Sequence, residues 1–489
     1  MVSIFAVETV GGKLMKILFA ASEAVPYVKT GGLGDVAYAL PCELAKRDDV
    51  EICVILPYYK SIKENPSLGI EYVTHFYMPL AWRTSYVGIF KAYNAEKQLT
   101  YYFIDNDYYF NRGSIYGDYD DGERFTFFSK AILECIQYIG FYPDIIHCND
   151  WQTALVPLYY KAFFEHHDGY WNIKTVFTIH NIEYQGKMPN EFLSEVMGLS
   201  EYWRATVTHN GCINFMKSAI LLADKVTTVS ETYSYEIRYA YFAHGLEDVL
   251  RQNEYKLIGI TNGIDPEIYN PITDTCLYTN FGPGELDKKQ ENKRYLQQKL
   301  ELPVRDDVPV IGMITRLVAH KGLDLVKYVG EEMLARDLQL VVVGTGDKEF
   351  EDYFNWLAYT HRDKIAVRIA FDPVLANQIY AGADLFLMPS KSEPCGLSQL
   401  IAMRYGTIPI VRETGGLVDT VPAYNPQTGE GRGFTFKSYN AHDMLGAIDY
   451  ACGVYHDMPQ RKRLIQNIMQ YDSSWKQSVN RYLDVYYHM

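Results

Sequence analysis

Long hydrophobic runs are missing from this chain. Apolar stretches such as Leu338 to Val343 and Ala219 to Ala223 fall far short of the ~20 residues that cross a bilayer as a helix, so the sequence predicts no membrane span. Cysteine is sparse and unpatterned, eight residues in 489 with no CxxC pair. That excludes a disulfide framework and a zinc site, and reads as reduced thiols in the cytoplasm. Positive charge is also short: 46 Lys and Arg against 60 Asp and Glu leave a formal charge of −14. Such a balance repels nucleic acid and anionic lipid overall, while a local basic cleft is still allowed. The opening MVSIFAVETVGG has no basic cluster ahead of its apolar stretch, and Lys13 and Lys16 follow it, the reverse of the order in a secretory signal. The fold is expected to begin near Met15, with residues 1–14 as an upstream extension.

What the chain has in quantity is apolar and aromatic surface. With 48% apolar and 22% charged residues it is globular and long enough for two or three domains with full cores. Its 42 tyrosines offer apolar ring faces to the C–H faces of sugars and hydroxyls at the rim, which suits carbohydrate handling. Tyrosine filling amphipathic core positions accounts for the same count.

Short β-branched runs alternate with helical patterns, which argues for parallel sheets built from βαβ units. A first series places strands at Lys16 to Ala21, Val50 to Pro57, Asp144 to His147, Lys174 to Ile179 and Lys225 to Val229, with a helix over Glu123 to Gly140. After the turn-rich TNGIDPEIYNP, Thr261 to Pro271, a second series follows at Pro309 to Ile314, Leu338 to Val343, Ile365 to Ala370, Leu385 to Pro389 and Ile408 to Arg412. The expected fold class is therefore α/β, two doubly wound Rossmann-like domains facing an interdomain cleft. Ligands of such sheets bind beyond the carboxyl ends of the strands. The last helical pattern, Lys476 to His488, either caps the second domain or crosses back to the first. The TNGIDP segment and the chain leading into that helix are the two expected links between domains.

Several strand ends carry chemistry. KTGGLGDV, Lys29 to Val36, is a lysine and a glycine turn opening a helix, an arrangement that lets backbone N–H groups approach an anion. It is neither GxGxxG nor GxxxxGK[ST], and glycine turns after strands are also common without a ligand. TRLVAHKG places Arg316 and Lys321 in one loop, a guanidinium fork and an ammonium suited to a diphosphate; a solvated pair of surface charges is the alternative. SKSEPCGLSQL sets Glu393 ahead of a helix start at Cys395 to Leu397, where the N–H groups of Gly396 and Leu397 could meet phosphate; Glu393 could instead be an acidic N-terminal cap. RETGGLVDTV, with Thr414, is a further glycine turn before a helix. HCNDWQT and TIHNIEYQG bring Asp150, Trp151 and His180 toward one sheet edge.

These strings, in this order and together with DYYFNRGSIYGD and VVVGTGD, resemble the bacterial glycogen synthase and plant starch synthase family, retaining glucosyltransferases of the two-domain GT-B fold. The likeness runs from Met15 to the final tyrosine-rich helix. It implies a domain over 15–257 for acceptor and catalysis, a nucleotide-sugar domain over 258–470, and a helix in 471–489 crossing back. It also implies that Lys29, Gly32 and Asp35 with Arg316, Lys321, Gly396, Leu397 and Thr414 surround the donor. Asp150, His180 and Glu393 would surround the transferred glucose, with Asn262 nearby, and Phe371 would stack on the base. Tyr116 would face the acceptor, an α-1,4-glucan. No cofactor and no metal are implied, and no carboxylate pair is arranged to hold a metal. A stacking ring accepts either base, so ADP-glucose and UDP-glucose both remain open, with the bacterial members pointing to ADP-glucose. Three departures, Ser392 where an aromatic is usual, YFAHGLE at Tyr241 to Glu247, and a shortened stretch between Asn106 and Glu123, bear on acceptor contacts more than on donor chemistry, because the diphosphate ligands implied by the resemblance are intact. Two other readings are a related transferase with another donor or acceptor, and a noncatalytic glucan-binding protein. A phosphorylase would need pyridoxal phosphate.

Overall fold

The computed structural model describes residues 14–489; the expected upstream extension lies, apart from Leu14, outside the described residues. The chain forms two compact units. The first comprises the described chain up to Thr228, then Ile237–Ile260 and Val479–Met489, and the second comprises Val229–Glu236 and Thr261–Ser478.

The first unit is built on a nine-stranded sheet. Its order from one edge is Leu257–Gly259, Lys225–Thr228, Lys174–Ile179, Ile145–Asn149, Met15–Ala20, Val50–Pro57, Leu99–Asp105, Arg83–Asn94 and Glu71–Leu80. The central strands are parallel, with Phe19 opposite both Val54 and His147. Ile17, Leu18, Phe19 and Ala20 are all fully buried, as expected of a strand covered on both faces. A small antiparallel sheet of Lys187–Met188, Cys212–Asn214 and Thr208–His209 completes the unit.

The second unit has a six-stranded parallel sheet in the order Ile365–Ile369, Gln339–Gly344, Val310–Ile314, Leu385–Met388, Ile408–Arg412 and Phe434–Phe436. Its apolar core joins Ile311, Met313, Leu340 and Val342 to side chains of the helices Leu323–Leu334 and Ala441–His456.

Two sequence expectations need correcting. The antiparallel meander Glu71–Leu80, Arg83–Asn94 and Leu99–Asp105 lies where no strand is expected. Phe76, Met78 and Leu80 point inward, but Tyr72 and Tyr77 stand on the solvent side, so the apolar alternation is masked. The chain also passes between the units four times, at 228/229, 236/237, 260/261 and 478/479, and not only at the two expected links. The extra pair arises because the helix Glu231–Glu236 bonds to residues of the second unit: Thr232 donates its hydroxyl to Asp419 at 2.5 Å, and Glu236 accepts from the Gly415 N–H at 3.0 Å.

Candidate functional site

In the first unit the chain leaves Met15–Ala20 through Ser22 and Glu23 and enters the glycine turn. The helix Gly32–Ala45 follows, with Gly31 at its N-cap in extended conformation and no side chain capping it. Lys29 is held from two sides. Its Nζ lies 2.7 Å from Asp35 Oδ1, and Gly34 packs beneath its stem so closely that a Cβ there would stand 3.1 Å from Lys29 Cγ. Burial raises the Asp35 pKa, opposed by the charge and hydrogen bond of Lys29. Glu23, only 2% exposed, accepts from both the Thr30 N–H and the Thr30 hydroxyl, at 2.6 and 2.8 Å. Its carboxylate therefore fixes the turn that carries Lys29 and Gly32. Burial raises its pKa, with the Thr30 bonds opposing.

At the end of the neighbouring strand, Ile145–Asn149, Asp150 adopts φ +55 and ψ −178, a region that side-chain-bearing residues rarely occupy and that is costly unless the surroundings enforce it. The enforcing contacts are hydrogen bonds: Asp150 Oδ1 accepts from the N–H groups of His180 at 2.7 Å and Asn181 at 3.3 Å. Burial pushes the Asp150 pKa up to about 7 against those two bonds. The His180 ring is 2.9 Å from Asn149 Oδ1 through Nε2. Because the Asn149 amide donates to the Ala20 carbonyl at 3.0 Å, its oxygen faces the ring, so Nε2 is the donor and Nδ1 carries the lone pair. Burial pushes the His180 pKa down to about 3, so the ring is neutral. Tyr116 places its hydroxyl 2.6 Å from Ser22 Oγ, and burial raises its pKa. The structure thus joins Asp150 to His180 directly, and Tyr116 to the strand end that supplies Glu23.

In the second unit, Arg316 lies just after Val310–Ile314; it is exposed, and its guanidinium has no partner among the described residues. Lys321 ends a short turn of helix, and Gly322 after it takes φ +74 with its Cα so close to the Pro389 carbonyl that a Cβ would stand 2.0 Å from the oxygen. That contact brings Lys321 to Glu393: Nζ lies 2.9 and 2.8 Å from the two carboxylate oxygens, and the Ser390 hydroxyl donates to Oε2 at 2.9 Å. Glu393 is buried. Burial favours its neutral form, but Lys321 and Ser390 outweigh it and hold the pKa below the ordinary carboxylate value. An N-cap role for Glu393 does not hold, since Leu397 is the N-cap of the helix Ser398–Arg404. The helix starts later than the sequence suggests because Gly396 sits at φ +73, outside helical geometry.

Phe371 is 75% exposed beyond the strand Ile365–Ile369. It is anchored by its neighbour Asp372, which caps the next helix through the Leu375 N–H at 2.9 Å. Asn262 is buried, its side-chain oxygen without a hydrogen-bond partner among the described residues, and its backbone N–H is bonded to the Cys395 thiol. Thr414 is fully buried and donates to Glu236 at 3.0 Å. The same carboxylate takes the Gly415 N–H, so the helix start Gly415–Thr420 already carries an anion supplied by the protein.

Sequence reasoning missed Glu23, Ser390 and Glu236. Glu23 and Ser390 had a usable signal, a polar residue within a few positions of a glycine turn or of a strand-end carboxylate. Glu236 had none, because its partner lies 179 positions away.

Residues 16–252 match the family of starch synthase catalytic domains, and residues 296–470 match the family described as glycosyl transferases group 1. A glycogen synthase of Bacillus anthracis is 48% identical over 474 residues, covering 96% of this chain and 99% of its own length. One of Clostridium botulinum is 46% identical over 476 residues with the same coverage. Among solved structures, the catalytic domain of starch synthase IV from Arabidopsis thaliana, bound to ADP and acarbose, superposes with a TM-score of 0.89 at 33% identity, covering 97% of this chain and 99% of that one. Sucrose-phosphate synthase from Thermosynechococcus elongatus, at 16% identity and a TM-score of 0.61 over 97% of this chain and 98% of its own, shares the fold.

Proposed function

This chain belongs to the glycogen synthase and starch synthase family of glycosyltransferases, and on that premise we propose that it transfers glucose from ADP-glucose to the non-reducing end of an α-1,4-glucan, with retention of configuration. The observation that carries the reading is the segment after Val310–Ile314, which holds both an exposed Arg316 with no partner among the described residues and a Lys321 bound to Glu393.

Breaking the bond between glucose C1 and the diphosphate builds positive charge on the sugar and negative charge on the leaving group. Fixed cations and backbone donors around the phosphates stabilise that separation. In the first unit, Lys29 and the turn at Gly32 are groups of this kind; in the second, Arg316, Lys321 and the N–H groups of Gly396 and Leu397 are. Lys321 also orients Glu393, whose ionised carboxylate stabilises the developing cation. Asp150 and neutral His180 in the first unit are suited to orienting sugar hydroxyls, and so is Asn262 in the second, whose side-chain oxygen has no partner among the described residues. The leaving phosphate takes the acceptor proton on the face it vacates, so retention needs no second glycosidase-type carboxylate. The eight free thiols suit an enzyme of the cytoplasm, and no helix among the described residues is long and apolar enough to cross a membrane.

Comparing kcat/KM for ADP-glucose and UDP-glucose with glycogen as acceptor tests the donor assignment. A preference for ADP-glucose is expected, and a preference for UDP-glucose would refute it. Removing the exposed ring by Phe371→Ala should raise the donor KM about tenfold, on the scale of one base–aromatic stack, and leave the melting temperature unchanged; an unchanged KM would remove Phe371 from the base site. Because protein cations meet the phosphate charge, activity should survive exhaustive EDTA treatment. Loss of activity restored by magnesium would contradict that.

A further inference from the structure

The loop that carries Tyr116 joins the short helix Asp107–Phe110 to the long helix Asp121–Ile139, and a buried arginine ties its base. Arg124, in the first turn of the long helix, is 0% exposed. Its Nη1 donates to Asp118 Oδ2 at 2.8 Å and to Asp121 Oδ1 at 2.7 Å, and its Nη2 lies 3.5 Å from the Ile115 carbonyl. Asp121 passes the tether on by accepting the Gly117 N–H at 2.8 Å. From inside the loop, Arg112 grips Asp120, with Nη2 at 2.7 Å from Oδ2, and lies 3.4 Å from Asp118. The rings of Phe110 and Phe125 close over the Arg124 guanidinium, at 5.9 and 5.4 Å from its central carbon.

Burying a cation is costly unless it is paired, and an apolar side chain of similar volume would often stabilise a fold as well. Among the described residues, every side-chain hydrogen bond of Arg124 goes to residues 115–121, while its Nε has no partner there. What the cation fixes is therefore the course of the loop around Tyr116. That ring ends with its hydroxyl on Ser22 and lies within electrostatic reach of Glu23 and Asp150.

We propose that Arg124 is a positioning residue for acceptor binding: through Asp118 and Asp121 it holds residues 111–120 folded, so that Tyr116 stands ready beside Ser22 for the incoming glucan. The proposal rests on the glucan-transferase reading above, and it assigns the loop to acceptor affinity without involving the donor. Asp118→Ala removes one anchor at a partly exposed position, and Arg124→Met removes the cation at similar volume. For each variant the measurements are the KM for glycogen, the KM for ADP-glucose, the melting temperature, and the rate of tryptic cleavage after Arg112 in the folded protein.

Asp118→Ala is expected to raise the glycogen KM about tenfold, as loss of one charged hydrogen bond would, with little change in donor KM. Cleavage after Arg112 should accelerate selectively. Should Arg124→Met not fold, Asp118→Ala carries the test. An opened loop with an unchanged glycogen KM would overturn the proposal, as would equal rises in both KM values with cleavage accelerated throughout the chain. Unchanged cleavage after Arg112 would show that the tether does not hold the loop. A wild-type protein that elongates no glucan would instead sink the transferase reading, while the cleavage rates still report on the tether.

Discussion

Lys321→Ala is expected to lower kcat/KM by ~10²-fold or more and to lower the melting temperature, whereas Arg316→Ala should lower kcat/KM comparably and leave the melting temperature unchanged. The two cations share a loop and differ in their surroundings. Arg316 is exposed and has no partner among the described residues, so its removal deletes a charge that acts only when a diphosphate arrives. Lys321 neutralises Glu393, which is 5% exposed, and its loss leaves a buried carboxylate without its partner, a defect that costs about 3 kcal/mol or more. The pH dependence separates the two effects. In the wild type the Glu393 pKa is held below its ordinary value, so the pair's contribution is present above the unfolded value and lost as pH falls through the folded one. Without Lys321, burial is opposed only by the weaker contributions of Ser390 and His320, and the pKa rises. The stability gap between wild type and variant should therefore widen from pH 4 to neutrality. A gap independent of pH, or near-normal turnover in either variant, would count against these roles.

Asp150→Asn should act in opposite directions on activity and stability. Activity is expected to fall by ~10²-fold, the scale of one preorganised polar contact to the reacting sugar. Stability at pH 8 should rise, because the wild-type carboxylate is ionised there in a place that burial disfavours. Its folded pKa of about 7 lies above the ordinary 3.8. Wild-type stability from this group is thus fully present below 3.8 and lost as pH rises through 7. The gain from asparagine should shrink steadily as pH falls from 7 toward 4, while the bonds from His180 and Asn181 to the remaining oxygen persist. Functional residues commonly cost stability in this way. A variant less stable than wild type at pH 8 would show that Asp150 is a structural residue.

The parallel strands at the centre of both sheets were legible because a strand buried on both faces must be a short run of β-branched and apolar residues. LVVV at Leu340–Val343 and KTVFTI at Lys174–Ile179 have no other reading once turns bound them. The meander over residues 71–105 was not legible, because its outward tyrosines erase the two-residue period. Strand-end positions such as Lys29, Asp150, His180 and Glu393 follow from the α/β rule that ligands meet the carboxyl ends of strands. Their partners do not follow from it. The Lys321–Glu393 pair spans 72 positions and the Thr414–Glu236 contact 178, and no local pattern encodes either. Thr414 shows the consequence: a glycine turn before a helix reads as an anion site, and the anion it holds is the protein's own carboxylate.

The central claim is the transfer itself. The direct measurement is to incubate the protein with ADP-glucose labelled in the sugar and maltohexaose, then to analyse the products by mass and linkage. The account predicts oligosaccharides lengthened by single glucosyl units in α-1,4 linkage at the non-reducing end, with one ADP released per unit added. Release of free glucose without elongation, or transfer only to an acceptor other than glucan, would contradict it.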